Sequence, residues 1–110
     1  MSALKGFWIC FDLGLKGDYP GMYKYLDSHK GIECGGNIAY MKREIVPNFK
    51  EIVRQEIIAS VKINSDDRVY LIYKEPQSTN TCGYFIFGGR KKADWDGFNI
   101  IATPDVVDSE

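Results

Sequence analysis

The residue best placed to do chemistry is Asp12. It closes the apolar run Phe7-Trp8-Ile9-Cys10-Phe11-Asp12-Leu13, directly before Gly14-Leu15-Lys16-Gly17-Asp18-Tyr19-Pro20-Gly21. A carboxylate where a buried strand meets a glycine-rich turn is held by the strand, while the turn leaves room for a cleft or a partner subunit. It must also find hydrogen bonds, a cation or water. The amides of the turn from Gly14 to Gly17 offer a purely structural partner. Two short basic clusters, Lys42-Arg43 and Arg90-Lys91-Lys92, are the candidate phosphate contacts, although such clusters equally suit solvated strand ends. Gly88-Gly89-Arg90-Lys91-Lys92 lacks the glycine spacing and the following helix of a phosphate loop. Cys10, Cys34, Cys82 and the single histidine, His29, contain no closely spaced pair of the kind structural zinc sites use. Cys10 reads as a small packing residue and the three thiols as reduced.

These residues must be positioned by one small domain, because 110 residues suffice for a single core and not for two. The net charge of −1 supplies no global field for nucleic acid, so such a role would rest on the local basic clusters. No apolar stretch has the length to cross a bilayer, so membrane insertion is a poor reading and no membrane partner is expected. The start, Met1-Ser2-Ala3-Leu4-Lys5-Gly6, lacks a secretory pattern, so the expected location is the cytoplasm. The domain is expected over 1–101, with an acidic tail at 102–110 that drapes over the surface or frays.

The first strand, Phe7 to Leu13, sets Phe7, Ile9, Phe11 and Leu13 on one face and Trp8, Cys10 and Asp12 on the other. Both faces are largely apolar, which predicts a central strand with helices on one side and a second layer or second subunit on the other. A first helix starts near Asp18, capped by that side chain with Pro20 in its first turn. It carries an inner stripe of Met22, Tyr25, Leu26 and His29 and ends at a left-handed Gly31. His29 reads as a packed or half-exposed residue at the negative end of the helix. Gly35-Gly36 reads as a two-residue hairpin turn. Asn48 and Glu51 have capping-box spacing for a second helix running to about Lys62, with Phe49, Ile52, Val53, Ile57, Ser60 and Val61 inward. Strands follow at Arg68–Lys74 and Gly83–Gly89. The predicted class is α+β, a ferredoxin-like split βαββαβ with an added C-terminal strand and two helices on one face of an antiparallel sheet.

Four motifs give a family resemblance. They are Phe11-Asp12-Leu13, Asp18-Tyr19-Pro20, Asp66-Asp67-Arg68 and Ala93-Asp94-Trp95-Asp96-Gly97-Phe98. The stretch from Gly6 to Phe98 resembles the small SinR-like bacterial proteins, which are similar to the CRISPR-associated protein 2 and virulence-associated protein D families. That resemblance implies a homodimer in which two Asp12 carboxylates approach and hold Mg²⁺ or Mn²⁺, making Asp12 both metal ligand and catalytic residue. It implies a nucleic-acid-associated protein, either a metal-dependent endonuclease cutting RNA or DNA or an inactive scaffold. Lys42, Arg43, Arg90, Lys91 and Lys92 are then the nucleic-acid contacts, and Trp8, Cys10 and Asp12 the dimer interface. The alternative is a non-enzymatic dimeric protein-interaction module of a defence or toxin-antitoxin system, binding a partner protein through the same apolar face. A small-molecule sensor stays open as well, because this fold hosts many functions. Trp95-Asp96-Gly97-Phe98 reads as an aromatic clamp that covers a sheet edge or docks the tail, with base stacking as the alternative.

Overall fold

Alternation along the first strand divides the molecule into two faces. Phe7, Ile9, Phe11 and Leu13 are buried, while Trp8 and Asp12 are exposed and Cys10 is half-buried. The computed structural model describes residues 4–99. In chain order the elements are β1 (Lys5–Asp12), α1 (Tyr19–Ser28), β2 (Ile32–Gly35), β3 (Ile38–Arg43), α2 (Phe49–Ser60), β4 (Arg68–Lys74) and β5 (Thr81–Phe87). The strands form one antiparallel sheet in the order β2-β3-β1-β4-β5, with β1 in the middle as its two-sided apolarity predicts. The added strand β5 continues the sheet beyond β4 through a hairpin that pairs Lys74 with Thr81. This α+β arrangement is compatible with the ferredoxin-like class.

Both helices pack on the face that carries Phe7. Met22 and Tyr25 of α1 share one buried cluster with Phe49, Val53 and Ile57 of α2, whose four-residue spacing keeps them on one stripe. The Phe7 ring meets Phe49 edge-on at 5.0 Å, and Phe49 in turn meets Tyr73 at 5.1 Å. Each such side chain removed from water contributes about 1.5–3 kcal/mol. Ile52 is only half-buried and Ser60 is exposed, so the inward face of α2 is narrower than its sequence indicates.

Asp18 caps α1 as predicted, with Oδ1 accepting from the Gly21 amide at 3.0 Å. Its Oδ2 accepts from the Lys62 amide at 2.9 Å, tying the start of α1 to the end of α2. Gly21 is required at this junction, since a Cβ there would lie 2.8 Å from the Ser60 carbonyl oxygen.

Three local expectations are corrected. The left-handed residue after α1 is Lys30, with φ of 59°, rather than Gly31, whose amide donates to the Leu26 carbonyl at 2.8 Å. Asn48 also lies in the left-handed region, with φ of 73°, and its side chain makes no cap. An N-cap normally has extended backbone, which is what carries its side chain over the first amides. The hairpin between β2 and β3 turns on Gly36-Asn37, because Gly35 already pairs with Ile38 across an irregularity in the ladder. The acidic tail at 102–110 lies outside the described residues. Among the described residues no helix is long and apolar enough to cross a membrane.

Candidate functional site

The sheet face opposite the helices collects a set of apolar and aromatic side chains. Register places Trp8 between Tyr40 and Ile72, and Cys10 between Ile38 and Tyr70, while Tyr70 pairs with Phe85 of β5. Directly opposed residues project to the same side of an antiparallel pair. Trp8 lies against Tyr40 with ring centroids 5.0 Å apart, and Tyr70 against Phe85 at 4.7 Å. Trp8 and Ile38 each keep 39% of their surface exposed, so the face is open in the single chain. Burial pushes the Cys10 thiol up, which holds it protonated and suits packing rather than nucleophilic attack.

Asp12 stands at the end of this face and pairs with Arg68, the residue opposite it on β4. Arg68 Nη2 donates to Asp12 Oδ2 at 2.5 Å. This ion pair replaces the expected bonds to the glycine-rich turn. The Gly14 amide instead donates to Oδ1 of Asp67 at 2.7 Å, and the Asn64 amide donates to Oδ2 of the same carboxylate at 2.7 Å. Asp67, only 1% exposed, therefore fixes the turn after β1 onto the turn before β4. Both residues lie in the motif Asp66-Asp67-Arg68, but sequence reasoning gave neither of them this role. Arg68 was findable, since the last residue of one antiparallel strand faces the first of its neighbour.

A cleft of about 360 Å³ runs along this end of the face, lined by Cys10, Asp12, Ile38, Arg68, Tyr70 and Phe85. A second, of about 430 Å³, shares Arg68 and Phe85 and continues to Arg90, Lys91, Lys92 and Trp95. The turn into this basic segment needs glycine. Gly88 has φ of 71°, and a Cβ there would lie 2.7 Å from the Asp67 carbonyl oxygen. The Arg90 guanidinium sits 5.6 Å from the centre of the Phe85 ring. Trp95 and Phe98 are 76% and 84% exposed, so they form no clamp on the sheet edge in the single chain.

The other basic cluster is divided between the faces. Lys42 is exposed opposite Gly6, on the side of Trp8. Arg43 points to the helix side and grips Glu56 with two bonds of 2.6 and 2.8 Å. The Tyr25 hydroxyl donates to the same carboxylate at 2.9 Å, and His29 Nε2 lies 3.7 Å from it. The Arg43 guanidinium holds the Glu56 carboxyl below the usual carboxylate range, while burial and then the Glu56 bond push the Tyr25 hydroxyl up. Arg43 is thus tied into a structural network, and His29 packs its ring against Tyr25 at 4.5 Å.

For a divalent metal, the chain presents at this point a single carboxylate already neutralised by a guanidinium. That donor set does not fit Mg²⁺ or Mn²⁺, which take several oxygen ligands. A shared site built from two copies of Asp12 would need each Arg68 to swing away. No protein-family model, curated protein or solved structure matches this chain.

Proposed function

We propose that this chain is a homodimeric, nucleic-acid-associated protein of the ferredoxin-like, CRISPR-associated protein 2-like kind, acting as a scaffold rather than a nuclease. The observation that carries this reading is the continuity of the open apolar sheet face with the basic cleft, through Arg68 and Phe85. An apolar face with an exposed tryptophan suits burial against a second copy, while the basic rim stays free for phosphates. The Arg68 bridge favours the scaffold, because it occupies the carboxylate that a metal-dependent cut would use. It also neutralises Asp12, so two such carboxylates can approach across a two-fold without bare like-charge repulsion.

Fluorescence anisotropy with labelled RNA and DNA tests this. Binding is expected to weaken as salt rises. Strands incubated with Mg²⁺ or Mn²⁺ are expected to stay intact for wild type and Asp12→Asn alike. Metal-dependent cleavage lost in Asp12→Asn would replace the scaffold by the nuclease. Failure to bind any nucleic acid would leave the apolar face to the alternative, a protein-interaction module.

A further inference from the structure

We propose that the cleft between the start of β4 and the Arg90–Trp95 segment binds single-stranded nucleic acid, with phosphates on Lys91 and Lys92 and an unpaired base stacked on Trp95. This rests on the nucleic-acid reading above and adds a place and a preference for unpaired strands. The cleft, about 430 Å³, falls in the size range of small-ligand sites. Trp95 is 76% exposed on a hydrogen-bonded turn, with the Asp96 amide donating to the Ala93 carbonyl at 3.1 Å and the Phe98 amide to that of Trp95 at 3.0 Å. An indole displayed on a fixed turn can meet a base at little ordering cost. Stacking requires a base that is not already paired, so a duplex offers only its phosphates.

The charges of the cleft are unequal in availability. Arg68 is engaged by Asp12, and Arg90 lies against Phe85. Lys91 and Lys92 are exposed and have no ion pair among the described residues. Asp94 and Asp96 also line the cleft and repel phosphate. The site therefore grips a few phosphates rather than a long anionic track. For two phosphates on a single strand, the slope of log affinity against log salt is about −1.4.

The chain has two tryptophans, so Trp8→Phe leaves Trp95 as the only indole reporter. This variant is titrated with a short single strand of RNA, one of DNA, and a duplex of equal charge. Quenching by a single strand that exceeds quenching by the duplex is expected, and the RNA and DNA arms say which sugar is preferred. In the otherwise native chain, Trp95→Ala and the pair Lys91→Glu, Lys92→Glu should each weaken single-strand binding about tenfold or more. Their thermal melts should be unchanged, because all three side chains are exposed. Binding that none of these substitutions alters would overturn the cleft and leave the nucleic-acid reading intact. Absence of binding to every probe would remove both. A Trp95 signal that moves with protein concentration alone would put a second copy in the cleft and overturn the proposal.

Discussion

Asp12, the last residue of β1, and Asp67, just before β4, take opposite roles. The exposed Asp12 meets Arg68 at the surface, where an ion pair contributes at most about 1 kcal/mol. The buried Asp67 accepts hydrogen bonds from the Gly14 and Asn64 amides, at 2.7 Å each. Asp67→Ala should cost about 2–4 kcal/mol by leaving both amides unpaired, read as a lower urea midpoint. Asp12 was legible because it interrupts an apolar run. Asp67 was not, because Asn64-Ser65-Asp66-Asp67 reads as a solvated turn until folding brings Gly14 against it. Glu56 gives the acid limb of stability. Its folded pKa is depressed by Arg43, so its contribution is present above the unfolded value of 4.5 and lost as pH falls through the folded one. With the pair partly exposed, that contribution is on the order of 1 kcal/mol. Glu56→Gln should therefore destabilise near neutral pH and cost progressively less on acidification, measured by urea unfolding across that range.

Among the elements, those whose periodicity spans a whole strand or helix were the readable ones. β1 and β4 announce themselves by alternating or β-branched residues, and α2 by Phe49, Val53 and Ile57. Their ends were misread where backbone dihedrals decide. Lys30, at φ of 59°, takes the left-handed position expected of Gly31, and Asn48, at φ of 73°, is left-handed where an extended N-cap was expected. Lys30→Gly should relieve the Cβ penalty and stabilise the fold by about 0.5–1 kcal/mol, read as a raised thermal midpoint. The pairing of Asp12 with Arg68 spans 56 residues in sequence and follows once β4 is set beside β1, as the split βαββαβ order does.

At the scale of the whole molecule, a five-stranded sheet covered on one side leaves Trp8, Cys10, Ile38, Tyr40 and Tyr70 on the other. The two-sided apolarity of β1 made this readable, whereas the contiguity of that face with the Arg90–Trp95 cleft emerged only from the fold. Burial of the open face against a second copy is the central claim, and sedimentation velocity tests it directly. The wild-type chain should sediment at twice its 12.5 kDa mass, and Trp8→Glu, which sets a charge on the open face, should sediment as a single folded chain with an unchanged circular-dichroism spectrum. A wild-type protein that stays at the mass of one chain up to high micromolar concentration would contradict it.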